Sequence, residues 1–449
     1  MLVLKFGGTS VGDAARIRTV LGIVRDRLSR RPVVVVSAFA GVTDHLLQLA
    51  RDAVKGKQDL SWLRDRHLTV MRELDVETTL VDEHLRELSD LLRGIALVQE
   101  LTPRSLDYVA SFGERMSSLV IAAYFTKRGL PARAVNAYDL GLLTDSRFGR
   151  AKPLPDIDAR ILAEIEQIGD VPVITGYIGK DPEGNITTLG RNGSDYTAAL
   201  IGRAVRAAEI QIWTDVDGVM TGDPRLVPNA RPLREITFDE AAELAYYGAS
   251  VLHPSTIEPA TECSIPVRVL NTNDPQSPGT LIVGSNERKA PVVRAIVYKE
   301  DVTLINIVST KMLMDHGFMA RVFDACARHE VVLDLIATTE VSVSVTTDDD
   351  KHLTALVRDL GQFSKVSVEK DLAVISVVGH GIKGAVWVAG EIFGSLSQLQ
   401  IDVRMISMGA LRNNVQFLVR NEEVARVVRT LHQLFFNDDA QHAGRAAQS

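Results

Sequence analysis

The feature that most constrains the fold is a series of short strand-like runs, at 2–6, 33–37, 171–175, 210–214 and 265–270. Several of these runs are apolar at consecutive positions. A strand with one wet face alternates apolar and polar residues, so a run without alternation has to be covered on both sides. Between the first two runs, Ile17, Val20, Leu21, Val24 and Leu28 fall on one face of a helix. This β-α-β rhythm continues to about residue 285 and predicts an α/β fold, a mostly parallel sheet with helices on both faces. Residues 57–130 break it. Their pattern, with Leu85, Leu88, Leu91 and Leu92 as an example, predicts a helical insertion that is either a lid or a packing element.

Turn signals at 271–284, including Asn-Asp-Pro and Ser-Pro-Gly, precede a polar stretch at 285–290, which places a domain boundary there and gives a first domain of 1–285. An approximate repeat follows. Its first unit, 298–366, reads as strand 303–307, helix 318–328, strands 331–336 and 341–346, and helix 352–360. The second, 367–436, repeats the order with strand 372–378, helix 385–399, strands 401–405 and 415–419, and helix 423–435, and Phe323 and Phe393 occupy matching helix positions. Each unit resembles the small ligand-binding ACT fold, an α+β unit of order β-α-β-β-α-β. The polar tail 437–449 is expected to be disordered.

A chain of 449 residues is long enough for two or three domains. Its net charge of −7 gives no reason to expect nucleic acid or an anionic membrane as partner, so an anionic substrate would need a locally basic pocket. Cys263 and Cys326 match no metal-ligand spacing and read as free buried thiols, as in a reducing cytoplasm. No apolar run approaches the roughly 20 residues of a membrane span, and the first strand runs into a glycine turn without a cleavage site. A cytoplasmic location is expected.

Four motifs carry chemistry. In Lys5-Phe6-Gly7-Gly8-Thr9-Ser10-Val11 a strand delivers a lysine to a Gly-Gly turn before a helix. Such a turn is either structural or a place where backbone N–H groups and a helix N-terminus meet a phosphate, and the full charge of Lys5 before it favours the phosphate reading. The Gly-Lys-Ser/Thr ending of a Walker loop is absent. The second motif, Ser37-Ala38-Phe39-Ala40-Gly41-Val42-Thr43-Asp44, is a site-lining segment or an ordinary β-α loop. The third, Leu189-Gly190-Arg191-Asn192-Gly193-Ser194-Asp195-Tyr196-Thr197, leads into a helix expected to begin near Thr197. Arg191 there can hold a carboxylate in a bidentate fork, and Asp195 either orients a cation, an amine or Lys5, or caps the helix. The fourth contains Thr214, Asp215 and Asp217, then Thr221 to Arg225, and reads as a polar turn, an acidic pair or a nucleotide-binding turn.

The strings KFGGTSV, SFGERMSS, TLGRNGSDYTA, WTDVDGVMTGDPR and GASVLHP, in that order, resemble those of aspartate kinases, and the likeness covers almost the whole chain. The resemblance implies an amino acid kinase fold followed by two ACT-like units. It implies transfer of the γ-phosphoryl group of ATP to the side-chain carboxylate of L-aspartate, giving 4-phospho-L-aspartate, the first step toward lysine, threonine and methionine. Carried over by position, Lys5, Gly7, Gly8 and Ser10 hold ATP phosphates, with Mg²⁺ bound through those phosphates and no metal held by the protein itself. Thr43, Glu114, Arg191, Ser194 and Asp195 surround aspartate and the reacting centre, with Lys5, Asp195 and Arg191 as the catalytic set. Thr214, Asp215, Met220, Arg225, Ser250 and Val251 match the nucleotide side, where Met220 and Ser250 depart from the tyrosine and lysine of many relatives.

The first repeat resembles the effector site of lysine-sensitive aspartate kinases at Met312, Asp315, Gly317, Phe318, Met319, Asp334, Thr338, Thr339, Glu340 and Val341. Feedback inhibition is expected from lysine, or alternatively threonine, with a homodimer or dimer of dimers formed through the ACT-like units. A kinase for another carboxylate or a carbamate, and a non-catalytic amino-acid sensor, are the competing readings. Gly379-His380-Gly381-Ile382-Lys383-Gly384 matches a dinucleotide fingerprint, but too little chain follows for a dinucleotide domain, and the second repeat already uses this strand and helix.

Overall fold

The computed structural model describes residues 1–246, 254–284, 292–309, 312, 316–380, 382, 385–408 and 413–436. It divides into two compact units, the first made of Met1–Val219, Pro232–Ala241 and Val251–Asn286, the second of Met220–Arg231, Ala242–Ser250 and Glu287–Ser449.

The elements up to residue 284 run β1 Leu2–Phe6, α1 Ala14–Arg25, β2 Pro32–Val36, α2 Val42–Ala53, α3 Ser61–Leu74, α4 Asp82–Val98, α5 Pro103–Lys127, β3 Ala132–Val135, α6 Ile157–Gln167, β4 Val171–Thr175, β5 Ile178–Lys180, β6 Ile186–Thr188, α7 Gly193–Ala204, β7 Glu209–Thr214, β8 Glu235–Thr237, α8 Phe238–Tyr246, α9 Pro254–Glu262, β9 Val267–Asn271 and β10 Thr280–Val283. Eight strands form one sheet in the order β3-β4-β2-β1-β7-β9-β10-β8. Every pairing is parallel except β9 with β10. The central strands β2 and β4 are buried along their whole length, as their unbroken apolar runs require. Helix α1 starts where the Asp13 side chain accepts from the Arg16 N–H. It ends at Arg25, so Leu28, expected on its face, is exposed beyond it.

The segment expected to be an insertion is helical, as α3, α4 and α5. Leu63, Val70, Met71 and Leu74 of α3, Leu85, Leu88, Leu92 and Ile95 of α4, and Phe112, Met116 and Val120 of α5 belong to the same buried core as β1 and β2. That is the packing alternative, and α5 is a core helix of the fold. Cys263 is exposed just beyond α9, against the expectation of two buried thiols, while Cys326 is buried and both are free.

The second unit contains β11 Ala295–Val308, α10 Phe318–Arg328, β12 Ile336–Thr338, β13 Ser342–Thr347, α11 Leu353–Leu360, β14 Lys365–Val378, α12 Val386–Gln398, β15 Met405–Ser407, β16 Asn414–Arg420 and α13 Val424–Phe436. Its six strands are antiparallel in the order β12-β13-β11-β14-β16-β15. Strands β11 and β14 pair along their length, with register shifts between Lys299 and Leu304. Ile305 and Ile307 join one core, with Phe318, Val343 and Leu356. Ile296 and Ala373 join another, with Val388, Phe417 and Val427.

The two ACT-like units therefore share strands. Residues 295–299 of β11 pair with 374–378 of β14 and supply a strand to the second unit from before the first. The expected boundary at 366/367 falls inside continuous β14, and the expected start at 298 falls inside β11. Phe323 and Phe393 match in position but not in setting, because Phe323 is exposed and Phe393 packs on Phe417. The strand before Gly379 is antiparallel to both neighbours, which removes the parallel β-α-β setting of a dinucleotide fingerprint. Gly381, Lys383 and Gly384, the boundary stretch 285–290 and the tail 437–449 lie outside the described residues.

Candidate active site

Strand β1 lies at the middle of the parallel sheet, with Lys5 level with Val35 of β2 and Ile212 of β7. The chain leaves β1 toward β2 on one side, and β7 joins on the other. The carboxyl ends of such strands are where open α/β sheets bind ligands. A cleft of about 490 Å³ opens there, lined by Lys5 of β1, Gly8 after it, Ser37 to Gly41 after β2, Thr43 at the start of α2, Glu114 of α5, Tyr177 after β4, and Gly190 to Asp195 at the start of α7.

Lys5 Nζ is 2.6 Å from Oδ1 of Asp195, and both side chains are almost wholly buried. The expected helix start near Thr197 is displaced to Gly193, so Asp195 sits in the first turn of α7 and the helix cap position belongs to Asn192. Asp195 thus contacts Lys5 and does not cap α7. Ser194 is buried on the cleft wall, and Arg191 and Asn192 are exposed on it.

Helix α5 shapes the opposite wall. Glu114 Oε1 accepts the Ala38 N–H at 3.1 Å, and the Ser117 hydroxyl donates to the Ser37 carbonyl at 2.9 Å. Glu114 Oε2 is buried without a hydrogen-bond partner. Burial pushes the Glu114 carboxyl up to about 8, while the N–H of Ala38 and the charge of Lys5 pull the other way. Asp107, two turns earlier, accepts the N–H groups of Gly149 and Thr188, each at 2.8 Å, and the Thr188 hydroxyl at 2.9 Å. It thereby fixes two backbone segments beside the cleft.

Other expected residues have different settings. The Gly7 N–H donates to the Trp213 carbonyl, and the buried Ser10 hydroxyl bonds the same carbonyl at 3.1 Å and the Thr272 hydroxyl at 2.7 Å. Both brace the turn from inside, whereas Gly8 faces the cleft. A Cβ on Gly8 would stand 2.9 Å from the Ala38 carbonyl oxygen, so only glycine fits this approach. Thr214 ends β7 and its hydroxyl donates to Asp215, which is exposed. Met220 and Arg225 belong to the second unit, where Arg225 pairs with Asp223 at 2.6 Å. Ser250 and Val251 lie outside the described residues.

Among the expected effector residues, Met312 is half-buried and Asp315 lies outside the described residues. Gly317 precedes α10 with φ 104°, Phe318 is buried in the core, and Met319 packs against it. Thr338, Thr339 and Glu340 are exposed and Val341 is half-buried around the β12–β13 turn, where the Thr339 and Ser342 hydroxyls are 2.7 Å apart. Asp334 is not an open carboxylate, because Lys299 Nζ lies 3.0 Å from its Oδ2. Sequence reasoning did not single out Tyr177, Asp107, Ser117 or Lys299. Tyr177 follows a strand end and was in principle findable; the others act through contacts far apart in sequence.

Residues 1–271 match the model of the amino acid kinase family, and residues 305–358 and 375–435 match that of the ACT domain. The chain is 39% identical to a chloroplastic aspartokinase 3 of Arabidopsis thaliana, over 98% of this chain and 82% of the relative. It also resembles the crystal structure of Escherichia coli aspartokinase III with aspartate and ADP in the R-state, with a TM-score of 0.83 and 35% identity over 97% of this chain and 100% of that one. The structure of E. coli aspartokinase III with lysine and aspartate in the T-state matches with a TM-score of 0.79 and 36% identity over 97% and 99% of the two chains. Among the described residues, no helix is long and apolar enough to cross a membrane. With a Lys5–Asp195 pair at the carboxyl end of the central parallel strand and ACT-type strands after it, the chain belongs to the amino acid kinase family and, within it, to the ACT-bearing aspartokinases.

Proposed function

We propose that this aspartokinase binds ATP and L-aspartate in the cleft at the carboxyl ends of β1, β2 and β4, and that Lys5, held by Asp195, is the charge on which transfer depends. The observation that carries the reading is the nearly buried Lys5–Asp195 pair at 2.6 Å, in a cleft that Glu114 and Arg191 also line. The nucleophile is a carboxylate of ordinary pKa about 3.9, already ionised at neutral pH, so the site needs no general base. Its task is to bring one anion against another, by positioning and charge neutralisation. Gly8 leaves room for a phosphate beside its backbone, and Lys5 supplies the full positive charge. Mg²⁺, carried on the nucleotide's phosphates, would add further neutralisation. Arg191 grips a substrate carboxylate, Glu114 favours the ammonium group, and Thr43 and Ser194 line the same pocket. Thr214, Asp215, Met220, Arg225, Ser250 and Val251 are assigned to the nucleotide by family position. Lys5→Ala should lower aspartate-dependent ADP release by about a hundredfold or more, the scale of losing one preorganised charge contact. Near-normal turnover in a folded variant would remove Lys5 from the mechanism.

The effector reading is that lysine inhibits through the first ACT-like unit, its carboxylate at the start of α10 and its ammonium groups toward Asp334 and Glu340. The lysine-bound T-state of the E. coli relative supports it. Edge strands β12 and β15 leave backbone groups open to a second copy, which favours a dimer through this sheet. A cytoplasmic location remains the reading for this chain; the Arabidopsis relative is chloroplastic.

A further inference from the structure

Tyr177 stands on the cleft wall just after β4 with φ 67°, in the left-handed region that bulky residues rarely enter. Such a backbone persists only where its surroundings fix it. Here the Tyr177 N–H donates to the Thr197 hydroxyl of α7 at 3.0 Å, and the Tyr177 carbonyl accepts the Leu189 N–H at 2.9 Å. The ring packs against the start of α7. A Cβ on Gly193 would stand 2.7 Å from the ring Cδ2, and one on Gly176 would stand 2.5 Å from the Ser194 Cβ. The end of β4 and the helix start that carries Ser194 and Asp195 therefore interlock. Burial, aided by the charges of Glu114 and Asp107 and opposed by the Thr188 side chain, pushes the phenol up to about 12. The ring thus meets a substrate as a neutral surface. Sheet order says which end of the cleft it closes. Strand β4 lies beyond β2 from β1, on the side away from β7, whose end at Thr214 is assigned to the nucleotide. Tyr177 bounds the acceptor end.

We propose that Tyr177 is the specificity-determining wall of the acceptor site, its ring setting the length of the amino diacid that can be phosphorylated and excluding glutamate, the homologue one methylene longer. This rests on the aspartate reading above. The reacting carboxylate has to meet the phosphoryl group beside Lys5, while Arg191 and Glu114 hold the other carboxylate and the ammonium. A longer acid held at the same points has to take up its extra methylene at the ring or push its reacting oxygen out of line. A misplacement of about 1 Å at the reacting atom can cost about a hundredfold in rate. A wall that could swing aside would not discriminate. The left-handed backbone and the interlock with α7 deny Tyr177 that freedom.

The test is the ratio of kcat/KM for L-aspartate to that for L-glutamate, read from ADP release by the full chain at saturating ATP. Tyr177→Ala removes the ring. The ratio should fall about tenfold or more, the scale of one methylene in a packed site, with kcat/KM for glutamate rising in absolute terms. Tyr177→Phe keeps the ring and should keep the wild-type ratio. A merely structural side chain would lower both values together, so an unchanged ratio in Tyr177→Ala overturns the proposal. A wild type that uses both acids equally well overturns it too. So does a Tyr177→Phe ratio that shifts as far as that of Tyr177→Ala, because discrimination would then lie in the hydroxyl. If aspartate supports no turnover in the wild type, the aspartate reading itself fails. Should Tyr177→Ala not fold, Tyr177→Leu, which replaces the ring by a shorter side chain, decides by the same ratio.

Discussion

Glu114 is held by a helix, buried in the cleft wall, and bonded through one carboxylate oxygen only. Its folded value of about 8, against an ordinary 4.5, means that the folded protein takes up a proton the unfolded chain would not. The raised value favours the neutral form, so the stability it contributes is complete below about 4.5 and is lost as pH rises through about 8. If the ionised form receives the substrate ammonium, kcat/KM for aspartate should rise with pH and level off above about 8, since this ratio reports the free enzyme. Glu114→Gln should abolish that limb and leave the ATP response unchanged. A limb that persists in the variant assigns the titration to another group. Asp107 acts at one remove, through the backbone at Gly149 and Thr188. Asp107→Ala strands buried donors at about 1–3 kcal/mol each. It should raise the aspartate KM several-fold with less effect on kcat, and Asp107→Asn, which retains an acceptor for both N–H groups, should restore most of the loss. Equal damage from both variants would indicate general destabilisation. Lys5 was legible because a lysine before Gly-Gly at a strand end has a chemical meaning of its own. The choice among roles for Asp195 was not, because its partner is remote in sequence and only the packing of α7 against β1 brings them together.

At the scale of elements, what was legible followed periodicity, and what was missed involved charge in mid-strand. The unbroken runs of β1, β2 and β4 gave their strands away. The first half of β11 was not read because Lys299-Glu300-Asp301 interrupts its apolar pattern, and Asp301 indeed takes φ 60° at an irregularity in the ladder. The polar residues at 365–371 hid the first half of β14 in the same way. Helix α5 was read as insertion because its neighbours are helical, yet it carries the residues that grip the loop after β2. Gly113 is the reason it can. A Cβ there would stand 2.7 Å from the Ala38 Cβ, closer than real atoms approach. In most helices Gly→Ala gains about 0.5–1 kcal/mol. Here Gly113→Ala should instead lower the thermal midpoint, by about 1–3 kcal/mol of overpacking, and raise the aspartate KM as Glu114 moves off the Ala38 N–H. A stabilised variant with ordinary kinetics would show that the wall has room to yield.

At the scale of the whole molecule, the two compact units do not follow the two halves of the sequence. The stretch Met220–Arg231 lies within the expected catalytic region but belongs to the second unit. The Ile296 N–H donates to the Thr221 carbonyl, the Thr221 hydroxyl bonds His432 at 2.9 Å, and the Tyr298 hydroxyl donates to Asp223 at 2.8 Å. Asp223 in turn holds Arg225, an assigned nucleotide residue, and the guanidinium and Tyr298 keep the Asp223 carboxyl below its ordinary value. Tyr298 and Lys299 are consecutive on β11, so one strand touches the segment assigned by family position to the nucleotide through one residue, and the acid assigned to the effector through the next. The ordering of Arg225 therefore depends on the regulatory sheet. Tyr298→Phe removes one hydrogen bond of about 1 kcal/mol and frees Asp223 to follow the exposed Arg225. The ATP KM should rise several-fold, with the aspartate KM and kcat close to wild type. Arg225→Ala should raise it at least as far. If Tyr298 acts only by placing Arg225, the double variant will be no worse than Arg225→Ala alone, because residues on one path are not additive. Steady-state kinetics on the four proteins of the cycle measure this directly. Additive losses in ATP KM would mean that Tyr298 reaches the nucleotide by another route, or that Arg225 is not its contact.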